Sequence, residues 1–182
     1  MSFPEIKTER LLLRQFQQDD LENVFYGLSH PEVIRYYGVN YKSLEETQKQ
    51  IKWFRELDVT GTGIWWAITS LEEKQFLGGI GINSLNEDHQ KAEIGYWLLP
   101  DFWGKGIIAE AGRELIQYAF KNLNLHRIEA YVEDGNQNSE KLLEKLDFNY
   151  EGTMGDCEIK NGNFISVKIY ARLNKKTKQL NA

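Results

Sequence analysis

The stretch Ala92-Glu93-Ile94-Gly95-Tyr96-Trp97-Leu98-Leu99-Pro100-Asp101-Phe102-Trp103-Gly104-Lys105-Gly106-Ile107-Ile108-Ala109-Glu110-Ala111 concentrates the residues whose types and spacing can do chemistry. An apolar strand runs into a short loop, and a Gly-Lys-Gly turn then opens a helix. Glycine admits backbone conformations in which bare main chain approaches a ligand, and the first N–H groups of a helix point outward at the positive end of its dipole. Such a turn is a seat for phosphate. The first expectation is therefore a ligand that carries a pyrophosphate.

Three rival readings are set against these residues. Gly104-Lys105-Gly106-Ile107-Ile108-Ala109 also matches the dinucleotide fingerprint G-x-G-x-x-[G/A], with Glu129 about twenty residues on. That fingerprint needs a tight turn straight from the strand and alternating strand-helix units. Here Pro100-Asp101-Phe102-Trp103 intervenes and the segments before it read as an antiparallel meander. A nucleotide-triphosphate loop would need G-x-x-x-x-G-K-[ST], which the chain lacks. The plainest reading is a glycine loop that only caps a helix.

The elements that must position this turn are legible from pattern. Arg10 to Phe16 reads as a first strand, and Asp19-Asp20 opens a helix to about Leu28. Ser43-Leu44-Glu45-Glu46 is a capping box starting a second helix through about Leu57, with Gly61 and Gly63 ending the region. Strands follow at Ile64 to Thr69, Phe76 to Ser84 and Lys91 to Leu99, joined by connections too short for parallel crossovers. Ile108, Ala111, Leu115 and Ala119 recur at helical spacing between Ile107 and about Leu123. A strand from Arg127 to Val132 and a helix from about Asn138 to Leu146 come next. Two strands, Tyr150 to Ile159 and Phe164 to Leu173, then flank the hairpin dipeptide Asn161-Gly162.

With 182 residues and no repeat or linker, the chain reads as one α/β domain, residues 1–182, around one central sheet. A hydrophobic content of 41% with five Trp argues for a packed core rather than disorder. The net charge of −5 argues against a general nucleic-acid binder and suits a cationic acceptor. One cysteine, Cys157, excludes an internal disulfide and fits a reducing compartment. No apolar run reaches the roughly 20 residues that span a bilayer, and the N-terminal residues lack a signal-peptide core, so a cytoplasmic location without membrane contact is expected. His30, His89 and His126 lack metal-ligand spacing and are expected at surface or capping positions, with no metal.

The segment from Trp103 resembles the coenzyme A signature of the GNAT superfamily of N-acetyltransferases, [Q/R]-x-x-G-x-[G/A]. Trp103 stands at the first position, Gly106 at the glycine and Ile108 at the last. Trp-Gly-Lys-Gly behind Gly-Tyr-Trp-Leu is the form of the branch that contains the ribosomal-protein N-terminal acetyltransferases. Thr8-Glu9-Arg10-Leu11-Leu12-Leu13-Arg14 resembles that branch's first strand. Asn136-Gln137-Asn138-Ser139 with Leu142-Leu143-Glu144-Lys145-Leu146-Asp147-Phe148 resembles its second signature, and Glu151-Gly152 its later Glu-Gly. The resemblance covers nearly the whole chain. It departs at Asp147 (a glycine in the family), at Ser166 (often Asp in the branch) and at the bulky Ile108.

The resemblance implies a GNAT fold: a mostly antiparallel sheet of about seven strands, splayed at the acetyl-CoA site and flanked by about four helices. It implies acetyl-CoA as cosubstrate, with the pyrophosphate on N–H groups of Trp103, Gly104, Lys105, Gly106, Ile107 and Ile108. Lys105 either adds charge there or is a solvated loop residue. The pantetheine arm would pair with backbone at Leu98 and Leu99, and Asn136 and Ser139 would reach the same arm, unless they only cap the following helix. An N–H at about Leu98 would serve the oxyanion. The tyrosine that many family members use to protonate the leaving thiolate is replaced by Leu143, and Ser139 stands where the branch uses a serine. Glu93 and Glu151 are the candidate bases for the acceptor amine. Trp53, Trp65, Trp66, Tyr36 and Tyr37 lie in segments that wall the acceptor side or fill the core. The acceptor implied is a protein N-terminal α-amine or a small cationic amine such as a polyamine or antibiotic. A non-catalytic acyl-CoA-binding module on the same fold is the alternative. Homodimers are common in the branch, and the final strands are the segments that could supply an interface.

Overall fold

The computed structural model describes residues 3–175. In chain order its elements are β1 (Ile6–Lys7), β2 (Leu11–Gln15), α1 (Leu21–Ser29), α2 (Pro31–Ile34), α3 (Leu44–Thr60), β3 (Ile64–Ser70), β4 (Phe76–Asn86), β5 (Lys91–Leu98), α4 (Ile107–Asn122), β6 (Arg127–Glu133), α5 (Gln137–Lys145), β7 (Asn149–Lys160) and β8 (Asn163–Leu173). The strands form one sheet in the order β1-β2-β3-β4-β5-β6-β8-β7. All neighbours are antiparallel except β5 and β6.

Strand alternation sends each side chain to one of two layers. Leu11 and Leu13 of β2, Trp66 and Ile68 of β3, Ile80 and Ile82 of β4 and Ile128 of β6 pack under α4, which contributes Ile108, Ala111, Leu115 and Ala119. On the other face Trp65, Ala67 and Trp97 pack with Val24 and Leu28 of α1 and Ile51 and Phe54 of α3. The start of α3 is fixed by the Ser43 side chain, which accepts from Glu46 N–H, and its end by Gly61 at φ 69°.

The expected elements all form. The sheet gains an eighth strand, β1, and the helices a fifth, α2, started by Pro31 with His30 Nδ1 accepting from Glu32 N–H. A two-residue strand and a one-turn helix carry no periodicity, so neither was legible as pattern. Asn161 and Gly162 both take positive φ in the expected tight hairpin. Cys157 lies exposed on β7. No described helix is long and apolar enough to cross a membrane.

The feature that makes a site is where pairing stops. The β5–β6 ladder holds only Lys91↔Arg127, Ala92↔Ile128 and Glu93↔Glu129, although β5 runs on to Leu98 and β6 to Glu133. Beyond Glu93, β5 stays paired to β4 as far as Gly78↔Leu98, while β6 stays paired to β8 as far as Glu133↔Val167. Each strand follows the twist of its own half-sheet, and the two part company.

Candidate functional site

The parting of β5 and β6 opens a cleft of about 970 Å³ that passes between the two layers. Glu93, Leu98, Trp103, Gly104, Gly106, Ile107, Ile108, Asn136 and Ser139 all line it, so most of the residues singled out from the sequence come together here.

On the α4 side the groups offered to a ligand are main chain. Leu99 N–H donates to Leu77 O at 2.9 Å. In an antiparallel ladder the next residue must then turn its own N–H and C=O to the opposite edge, which places those of Leu98 on the unpaired edge facing β6. The Leu98 carbonyl accepts the Trp103 indole N–H at 3.0 Å, which leaves its N–H to the cleft. The turn Gly104-Lys105-Gly106 has φ of 74° at both glycines, and a Cβ on Gly104 would meet only open space. No side chain caps α4, so the N–H groups of its first turn face the cleft without an intrahelical partner. This donor set, open and positively polarised, fits a pyrophosphate.

Two expectations are corrected here, and Lys105, left between two alternatives, is placed. Leu99 does not line the cleft: its N–H is committed to Leu77, and its side chain packs against the α1–α3 layer. The Trp103 N–H closes the preceding turn on Pro100 O at 3.1 Å, so Trp103 braces the loop through its indole rather than offering its amide. Lys105 is absent from the lining; its Nζ lies 5.2 Å from the centre of the Phe102 ring.

At the far wall, Asn136 Oδ1 accepts from Ser139 N–H at 3.3 Å, so Asn136 does cap α5. Ser139 meets a residue that the sequence reading passed over. Tyr96 lies on the opposite face of β5 from Glu93 and Trp97, as alternation requires, and reaches the same wall. Burial pushes its phenol up to about 12, a rise that the Ser139 side chain partly opposes.

On the α3 side the cleft is made of side chains. Trp65 lies flat across β4 and β5, where a Cβ on Gly81 would come within 2.3 Å of its ring and one on Gly95 within 2.7 Å. Trp53 packs on Trp65 with ring centres 5.8 Å apart. Tyr36 donates to Gly135 O at 3.3 Å and sits under Lys160 of the β7–β8 hairpin, whose Nζ also pairs with Glu133 at 2.6 Å. Of the aromatic residues expected on this wall, Trp53, Trp65, Tyr36 and Tyr37 line it. Trp66 does not: being one residue out of phase with Trp65, it points into the opposite core at 0% exposure and donates to Pro4 O.

Glu93 occupies the last paired rung, where the strands begin to part. Burial raises its carboxyl pKa; the Asn83 side chain opposes the rise, and the charges of Glu129 and Glu158 add to it. Burial, Tyr41 and Glu93 together push the Tyr37 phenol well above its ordinary range. Glu151 is placed differently from expectation. It lies on β7 outside the cleft lining, and its Oε1 accepts from Arg127 Nη1 at 2.9 Å. The Arg127 guanidinium holds its carboxyl below the usual carboxylate range, the wrong direction for a base. Among the described residues, no group of three or more His, Cys, Asp or Glu is arranged to hold a metal ion.

Residues 10–149 match the acetyltransferase (GNAT) domain family. The uncharacterized N-acetyltransferase YoaA of Bacillus subtilis is 36% identical over 93% of this chain and 96% of its own. The ribosomal-protein-serine acetyltransferase of Escherichia coli is 29% identical over 72% of this chain and 73% of its own. Among solved structures, the GNAT-family acetyltransferase from Bacillus anthracis superposes with a TM-score of 0.82 at 27% identity, covering 93% of this chain and 98% of that one.

Proposed function

The chain belongs to the GNAT family of acetyl-CoA-dependent acetyltransferases, and we propose that its acceptor is the α-amine of a protein N-terminus, with Glu93 as base. Acetyl-CoA supplies an acetyl thioester. This chain's residues bind it, aim it and handle the protons.

The observation that carries the reading is the position of Glu93, at the point where the coenzyme and acceptor halves of the cleft meet. An α-amino group has a pKa near roughly 8 and a lysine amine near roughly 10, so both arrive mostly protonated. A carboxylate raised by burial and by Glu129 and Glu158 is a better proton acceptor than an ordinary one, and the α-amine is the easier donor to neutralise. The name of the Escherichia coli relative, a ribosomal-protein-serine acetyltransferase, supports the same class of acceptor.

The geometry of the cleft supports the following steps. Gly104, Gly106, Ile107 and Ile108 seat the pyrophosphate by backbone N–H groups, and Asn136 faces the pantetheine arm. The ammonium first gives a proton to Glu93, directly or through one water; the neutral nitrogen then attacks the thioester carbonyl, and the proton it must still shed leaves on the sulfur as the free thiol. The Leu98 N–H donates to the carbonyl oxygen as it gains charge. As the C–S bond breaks, the Ser139 hydroxyl turns its hydrogen from the Tyr96 phenol to the departing sulfur.

A second reading has its own observation. Glu93, Glu129 and Glu158 lie close enough to raise the first of them, a concentration of carboxylates that also suits a small polycation. A thiol-release assay separates the two. With acetyl-CoA and a panel of N-terminal peptides and polyamines, peptide-dependent release is expected. Release with polyamines alone would replace the N-terminal acceptor by the second reading.

A further inference from the structure

Glu110 stands in the first turn of α4, where its charge opposes any anion placed on the same N–H groups. It does not stand free. Oε1 accepts from Thr8 Oγ1 at 2.5 Å and from the Arg10 backbone N–H at 2.9 Å, while Oε2 accepts from Arg10 Nε and pairs with Arg10 Nη2, both at 2.7 Å. Thr8 is itself fixed by the turn between β1 and β2, since its Oγ1 accepts from Leu11 N–H at 2.9 Å. Burial raises the Glu110 carboxyl, but Thr8 and Arg10 outweigh it and hold the group below the usual carboxylate range. The same Arg10 guanidinium donates from Nη1 and Nη2 to Lys105 O, both at 3.3 Å. Lys105 is the middle residue of the Gly-Lys-Gly turn, and a carbonyl held on the Arg10 side turns the adjoining N–H groups away from it.

We propose that Arg10 is a positioning residue for the coenzyme's phosphates, pinning the Gly104–Gly106 turn through the Lys105 carbonyl and cancelling the charge of Glu110 beside it. The role rests on the reading of that turn as the pyrophosphate seat. Thr8 and Glu110 complete the brace, so the strand-opening Thr8-Glu9-Arg10 serves the turn almost a hundred residues away.

The brace acts on the phosphate end of the donor only, and that gives its test. Coenzyme A is titrated calorimetrically into wild type, Arg10→Met and the double variant Arg10→Met/Glu110→Gln. Acetyl transfer is measured in parallel with acetylpantetheine, which has no pyrophosphate. Arg10→Met is expected to weaken coenzyme A about tenfold, because it uncovers the Glu110 charge at the helix terminus. The double variant should regain about half of that loss on a logarithmic scale, since it removes the uncovered charge while leaving the turn unpinned. Turnover with acetylpantetheine should stay within about twofold throughout, because no phosphate is there to be repelled. Unchanged coenzyme A affinity in Arg10→Met overturns the brace, as does an equal loss with both donors, which would mark Arg10 as merely structural. Wild-type protein that fails to bind coenzyme A overturns the phosphate-turn reading itself, and the brace with it.

Discussion

On the α4 side of the cleft, what faces a ligand is the Leu98 N–H, two glycines at φ 74° and the uncapped start of a helix; on the α3 side it is Glu93, Trp53, Trp65, Tyr36 and Tyr37. The first half is built from main chain within one short run of sequence. The second is built from side chains that α3, β3, β5 and the turn after α2 bring from separate places. The difference teaches what each half tolerates. A backbone site survives any side chain that leaves the turn intact, which is how Ile108 can stand where the family has a small residue. A side-chain site changes its ligand whenever one wall residue changes.

Substitutions that strike one half and spare the other test this division. The largest effect is expected for Glu93→Gln, with turnover falling by about 100-fold or more, the usual contribution of a positioned base. The pH dependence should change with it. Because the Glu93 pKa is raised, its basic form is lost as pH falls through a value above the ordinary carboxylate range, and that acid limb of kcat should disappear in the variant. Persistence of the limb would assign it to another group.

Gly106→Val comes next. A branched side chain at φ 74° strains the turn and crowds the approach of phosphate, so coenzyme A affinity should fall by about tenfold to 100-fold in a calorimetric titration. Ser139→Ala should lower turnover by about tenfold while leaving coenzyme A affinity nearly unchanged, because a hydrogen bond to departing sulfur is worth most in the transition state. Equal losses in both would reduce Ser139 to its place in the first turn of α5. Glu151→Gln should leave turnover within about twofold, since its carboxylate serves Arg127 outside the cleft. A circular-dichroism melt in acid should still register it: the folded-state pKa is depressed, so its stabilising contribution is present at neutral pH and lost as pH falls through the carboxylate range.

The same contrast explains what could be read in advance. The half proposed for the coenzyme was legible as a turn because two glycines and a helix start are local signals, and the strands around them alternate cleanly. Alternation, applied residue by residue, also separates Leu98 from Leu99 and Trp65 from Trp66. Its use at those two pairs would have placed Leu99 toward β4 and Trp66 in the core. Tyr96 was legible in the same way, being out of phase with Glu93. Asn83, Glu129 and Glu158 were not, because they reach Glu93 only through sheet pairing and the return of the final hairpin. The Arg10–Glu110 brace was hidden for the same reason, as nothing local says that a strand end and a distant helix start will meet.

The most direct test titrates coenzyme A into Glu93→Gln and Gly106→Val side by side and sets each affinity against turnover with a peptide N-terminus. The account predicts that Glu93→Gln binds coenzyme A within about twofold of wild type while turnover collapses, and that Gly106→Val loses coenzyme A affinity by about tenfold or more. Loss of coenzyme A binding in Glu93→Gln, or undiminished binding in Gly106→Val, would contradict the division of the cleft into a backbone half for the coenzyme and a side-chain half for the acceptor.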